Sequence, residues 1–127
     1  MTDFQKDILK SISESSDMTM GGIIRIAAQH GMDDEGALYR LTADPPYDKI
    51  ISFYGINKDA LNELSEMTEA EWITCNGDPV NIVIYGYDGD PILTFPLAQG
   101  LRAYKTMHWL PPVFFVTAKG REALKSA

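Results

Sequence analysis

The sequence predicts a single α+β domain over residues 1–127, in which N-terminal helices accompany a small, mainly antiparallel sheet. Three observations carry that expectation. Apolar residues recur at helical spacing through the first part of the chain, two turn-plus-strand cassettes follow one another between 76 and 96, and the apolar run Val113-Phe114-Phe115-Val116 leads into a further helical pattern.

Taken in order, Thr2 with Gln5 three residues on is a capping box, and Phe4, Ile8, Leu9 and Ile12 then share one helical face, which ends in Ser13-Glu14-Ser15-Ser16. Ile23, Ile24, Ile26, Ala27 and Ala28 predict a second, more buried helix. It stops at Gly31, a residue suited to the left-handed conformation of a helix end. A third helix is expected from Asp33, carrying Leu38 and Leu41, until Asp44-Pro45-Pro46 terminates it, because proline lacks the N–H donor and disfavours helical geometry in the residue before it.

Ile50-Ile51-Ser52-Phe53-Tyr54 is β-prone and bounded by Pro46 and Gly55, so a strand is expected there. Asn57 caps a helix through Leu61, Leu64 and Met67, and Thr68 with Glu71 reads as a second capping box that restarts or kinks it towards Trp72 and Ile73. Asn76-Gly77-Asp78-Pro79-Val80 returns twelve residues later as Asp88-Gly89-Asp90-Pro91-Ile92, each time a turn followed by apolar residues. A hairpin is expected, with Val80–Tyr87 as one strand and Ile92–Phe95 as its partner, and with both prolines at strand starts where no ladder donor is lost. Pro96 opens an expected helix through Leu97, Leu101 and Tyr104, weakened by Gly100, before the strand over 113–117 and a helix from Thr117 through Leu124.

Eighteen acidic against eleven basic side chains leave a formal charge of -7, which repels nucleic acid and anionic membrane surfaces at long range. Its distribution is uneven. Residues 1–40 carry four basic and seven acidic groups, residues 41–80 two and eight, and residues 81–127 five and three, so any anion-binding surface belongs in the last third. Cys75 stands alone and forms no internal disulfide, the N-terminal residues lack a basic stretch followed by an apolar run, and no segment reaches the roughly twenty apolar residues of a membrane span; these features predict a cytoplasmic protein.

Val116-Thr117-Ala118-Lys119-Gly120-Arg121-Glu122-Ala123-Leu124 resembles the strand-to-helix step that closes many winged-helix regulators, and residues 22–42, with Ala27 and Gly31 at alanine-x-x-x-glycine spacing and Met32 as an apolar turn residue, resemble a helix-turn-helix. The resemblance implies a winged-helix-like core, a DNA-binding transcriptional regulator with Arg25, Arg40, Lys119 and Arg121 on phosphates, and a symmetric dimer. Against the DNA role stand Asp33, Asp34 and Glu35, three carboxylates where such a motif faces phosphates, and the negative sum of charge. Winged-helix-like folds used for protein contacts escape that objection.

For enzyme chemistry the sequence offers Cys75, His30, His108 and many aspartates without local motif support, and lone cysteines are mostly small buried residues. Two widely spaced histidines and one cysteine do not form a zinc pattern, Asp78, Asp88 and Asp90 lack calcium-loop spacing, and no cofactor is expected. Aromatic residues crowd the positive last third. Tyr85 and Tyr87, two apart on one expected strand face, are the foremost candidate anchors for a partner, followed by Trp109. The expected function is that of a small, non-enzymatic regulatory or adaptor protein that binds another protein, with the acidic 59–71 helix tuning approach. The alternatives are the DNA-binding regulator and an acidic mimic of nucleic acid that blocks a nucleic-acid-binding enzyme.

Overall fold

In the computed structural model, the residues described are 1–34, 40–41, 49–52, 55–75, 81–85, 87–96, 98, 101, 104–109 and 113–127, without the side chains of 40–41, 51–52, 81–85 and 91–94. Four helices and eight short strands follow one another along them: α1 (Asp3–Ser15), β1 (Asp17–Thr19), α2 (Met20–Gln29), β2 (Arg40–Leu41), β3 (Ile50–Ser52), α3 (Lys58–Glu69), β4 (Ile73–Cys75), β5 (Asn81–Tyr85), β6 (Pro91–Pro96), β7 (His108–Trp109), β8 (Val113–Val116) and α4 (Ala118–Ser126). The class is α+β, as the residue pattern predicts.

The N-terminal helix forms for the reasons its sequence gives. Thr2 Oγ1 accepts from the Gln5 N–H at 3.1 Å while Gln5 Oε1 accepts from the Thr2 N–H at 3.0 Å, so two otherwise orphaned donors are satisfied reciprocally. Gln5 is itself 2% exposed, and its amide donates to Glu63 O at 3.1 Å and Glu66 Oε2 at 3.0 Å, so the cap of α1 is also the seam with α3. Replacing Thr2 by alanine is expected to lower stability by about 1 kcal/mol, measured by urea denaturation.

Helix α2 ends as expected at Gly31, whose φ is +78°. The Gly31 N–H reaches Ala28 O at 3.1 Å and the Met32 N–H reaches Ala27 O at 2.9 Å, the pair of bonds that closes a Schellman end. The alanine-x-x-x-glycine spacing is thus used to terminate a helix. The helix expected over 33–41 is not formed at either end: Asp33 and Asp34 are non-helical, and Arg40–Leu41 pairs antiparallel with Ile51–Ser52. Strand pairing overrides local helical preference there, and Leu38 lies outside the described residues.

Helix α3 is capped by Asn57, whose Oδ1 accepts from Asp59 N at 2.9 Å and Ala60 N at 3.4 Å. It does not restart at Thr68. Glu71 adopts φ +61°, its N–H bonds Thr68 O at 3.1 Å and the Trp72 N–H bonds Met67 O at 3.0 Å, so the Schellman geometry recurs with a glutamate where α2 has glycine. The chain then turns directly into β4.

Strand β8 is the centre of a three-stranded antiparallel sheet in the order β1-β8-β4, with Phe114 opposite both Met18 and Cys75. The hairpin β5–β6 forms a separate two-stranded sheet, and β2-β3-β7 a third in which β3 and β7 run parallel. The expectation of one sheet holding both the hairpin and the 113–117 strand is therefore corrected. Of the two expected strand-start prolines, Pro91 begins β6, and Pro79 lies outside the described residues.

The helix expected from Pro96 is corrected as well. Pro96 is the last residue of β6, paired with Asn81, and Ala98, Leu101 and Tyr104 are all non-helical. Carbonyls that a helix would satisfy internally are met by other groups: Ser65 Oγ donates to Leu101 O at 3.0 Å, and Cys75 Sγ lies 3.5 Å from Ala98 O. Leu97 and Gly100 fall outside the described residues.

The core joins the inner faces of α1, α2 and α3 to β4 and β8 through Phe4, Ile8, Ile12, Ile23, Leu64 and Phe114, all 2% exposed or less. Helix α4 packs Leu124 against the edge of this core and buries only Gly120.

Candidate functional site

The hairpin β5–β6 ends in an exposed turn, Tyr87-Asp88-Gly89-Asp90. Gly89 supplies the left-handed residue the turn requires, with φ +84°, and Asp88 Oδ1 accepts the Asp90 N–H at 3.0 Å, so the side chain of one aspartate holds the loop in shape. The Tyr87 side chain stands on this braced turn at 114% relative exposure, more surface than an extended reference peptide leaves open.

Tyr85 and Tyr87 do not share a strand face. Strand β5 ends at Tyr85, and the ladder is irregular there: Ile84 faces Leu93 but Tyr85 faces Pro91, a register shift that breaks the alternation on which the shared face depended. Tyr87 belongs to the turn, and the side chain of Tyr85 lies outside the described residues. Trp109 is half-buried in β7, and its carbonyl accepts the Ala98 N–H at 2.9 Å. The aspartates flanking the tip were legible only as turn formers, since Asp88-Gly89 signals a turn and nothing in it announces an exposed aromatic beside it.

Of the four cationic residues, Arg25 is exposed on α2, Lys119 and Arg121 are exposed on α4, and Arg40 lies in β2 with its side chain outside the described residues. Lys119 is committed locally, its ammonium donating to Glu71 Oε2 at 2.7 Å. Asp33 and Asp34 are exposed, with Asp33 O accepting from Asn57 Nδ2 at 3.1 Å, while Glu35 is outside the described residues. The acidic helix 59–71 ends as a helix at Glu69, with Asp59, Glu66 and Glu69 exposed along it.

The Lys119 ammonium, first by its hydrogen bond and then by its charge, holds the Glu71 carboxyl below its ordinary range. A carboxyl depressed in the folded state stabilises the fold above its unfolded value, and that contribution is lost as pH falls through the lowered value. Lys119→Gln is therefore expected to flatten the acid limb of the stability curve without altering stability at the lowest pH. Urea denaturation across the acid range checks this, and because both groups are about two-thirds exposed, added salt should shrink the difference.

Cys75, His30 and His108, the residues considered for nucleophilic chemistry, lie apart in the fold, each with its own partners. Cys75 is 4% exposed within the sheet. His30 Nε2 meets Asp7 Oδ2 at 2.6 Å, tying α2 to α1, with its ring edge-on to Phe4 at 6.0 Å between centroids. His108 stacks on Tyr104 at 4.0 Å, and its Nδ1 lies 2.8 Å from Thr106 O. Among the described residues no group of three or more His, Cys, Asp or Glu side chains is placed to hold a metal ion, and no helix is long and apolar enough to cross a membrane.

No protein-family model matches the chain, and comparison with curated proteins and with solved structures finds no significant match.

Proposed function

We propose that this is a non-enzymatic regulatory or adaptor protein of the cytoplasm, and that it works by docking the β5–β6 hairpin tip onto another protein. The observation that carries the reading is Tyr87, a large amphipathic side chain displayed on a turn whose shape is already fixed by Gly89 and the Asp88–Asp90 hydrogen bond. A tyrosine on a braced loop loses little conformational entropy when it enters a pocket, which is why such residues dominate the energetics of many interfaces. Trp109 is a further aromatic residue in the same third of the chain, and Asp88 and Asp90 beside the anchor select a partner with positive charge around its pocket.

Photo-crosslinking from position 87, compared with crosslinking from the exposed position 125, tests the proposal. A discrete adduct is expected from 87 alone. Once that adduct is identified, Tyr87→Ala should weaken its binding by about 30-fold, equivalent to roughly 2 kcal/mol, with unchanged melting temperature. Equal crosslinking from both positions overturns the docking surface. A shift assay with mixed double-stranded DNA runs in parallel: binding that falls steeply with salt would return Arg25, Arg40, Lys119 and Arg121 to a phosphate-binding role, and light scattering reports whether the chain acts as a pair.

A further inference from the structure

We propose that Tyr87 is a modification site, the acceptor of a phosphoryl group delivered by an ATP-dependent protein tyrosine kinase with a basic substrate cleft. Two independent features converge on it. The first is access. A phenol must leave its own protein to enter a catalytic cleft, and the Tyr87 side chain, at 114% relative exposure on a turn whose residues 88–90 are exposed as well, meets that requirement without local unfolding.

The second feature is charge. Asp88 and Asp90 follow the tyrosine at the next and third positions, and no lysine or arginine occurs anywhere between Lys58 and Arg102, so the tip belongs to a long segment with no cation of its own. Such a segment is attracted by a basic cleft and repelled by an acidic one.

In the transfer, the phenolic oxygen attacks the γ-phosphorus of ATP in line. The bond from that phosphorus to the bridging oxygen breaks, ADP leaves with the electron pair, and the phenol proton passes to the base of the kinase. The product places a charge of about -2 on the residue that otherwise serves as an apolar anchor. The added group is too large and too strongly hydrated for a pocket shaped around a phenol, even one with a positive rim, so the transfer acts as an off switch for docking. That consequence rests on the docking proposal above. The transfer itself does not, and its test uses no binding partner.

The full-length folded protein is incubated with magnesium ATP and the catalytic domain of a tyrosine kinase that prefers acidic substrates, and modified tyrosines are located by peptide mapping. Tyr87 is expected to be modified at least about tenfold faster than any other tyrosine, and Tyr87→Phe should abolish the early label. The double variant Asp88→Asn, Asp90→Asn keeps a side-chain oxygen at 88 for the turn but removes both charges, and should slow transfer by about tenfold. Modification of other tyrosines ahead of Tyr87, no transfer at all, or an unchanged rate in the double variant would each overturn the proposal.

Discussion

Replacing Gly120 by alanine is expected to destabilise the protein by about 3 kcal/mol, although alanine is the better helix former by about 1 kcal/mol. A Cβ at this position would sit 2.1 Å from Trp72 O and 3.0 Å from both Trp72 C and Val116 Cγ2. The carbonyl it strikes is not free to retreat. Trp72 O accepts the Thr117 N–H at 3.0 Å, and the Thr117 hydroxyl lies within donating reach of both Trp72 O, at 3.1 Å, and Glu71 O. The same hydroxyl oxygen accepts the Gly120 N–H at 3.0 Å and so caps α4. Relieving the clash therefore means lifting α4 off the 71–72 turn and breaking several hydrogen bonds together. Gly21→Ala provides the contrast. Its new Cβ meets nothing nearer than Thr19 Oγ1 at 3.8 Å, so the propensity gain should survive and stability should rise by about 0.5 kcal/mol. Urea denaturation of the two variants decides the matter, and a stabilised Gly120→Ala protein would mean that α4 is not seated on Trp72.

Phe114→Ala is expected to lower stability by about 4 kcal/mol, since truncating a buried aromatic removes its transfer free energy and leaves a cavity that rigid neighbours fill only in part. Phe114 is fully buried on the central strand β8, opposite Met18 on one side and Cys75 on the other, so strands from three parts of the chain lose a shared contact. Domains of this kind are stable by only about 5–15 kcal/mol in total. The substitution should therefore shift the denaturation midpoint far more than Thr2→Ala does, and a change below about 1 kcal/mol would show that the core is not centred on β8.

What was legible in the sequence was mostly local. Thr2, Asn57 and Thr117 announced helix starts, Gly31 a helix end, and Asp88-Gly89 a turn, because each device satisfies backbone groups within a few residues and leaves its mark there. Strands β1 and β4 had no such mark. Each is three residues long, too short for alternation to register, and each exists because β8 offers it an edge. The segments over 33–41 and 96–104 failed in the opposite way. Their spacing suits helices, but Arg40–Leu41 is taken up by β3 and Pro96 by β5, and long-range pairing outweighs a propensity difference of tenths of a kcal/mol per residue. Glu71 was read as one half of a capping box; its left-handed backbone, a conformation ordinarily left to glycine, instead closes the Schellman end of α3, and its carbonyl faces the Thr117 hydroxyl.

At the candidate site, the sequence distinguished Tyr87 as a promising aromatic but placed it on a strand beside Tyr85. The error came from a single irregularity between Ile84 and Tyr85, which moved Tyr87 into the turn and from a shared face to an isolated tip.

The position of β8 also governs the order in which the chain can acquire its structure. The strand that joins β1 to β4 follows both of them in the sequence, so during synthesis α1 leaves the ribosome with Phe4, Ile8, Leu9 and Ile12 lacking the sheet against which they are finally buried. Closing that gap requires an encounter between Asp17–Thr19 and Val113–Phe115, segments far apart in the sequence, a slow search compared with the winding of a helix. Folding is accordingly completed only after residue 116 has emerged, and until then the nascent chain presents an apolar surface of the kind that molecular chaperones shield.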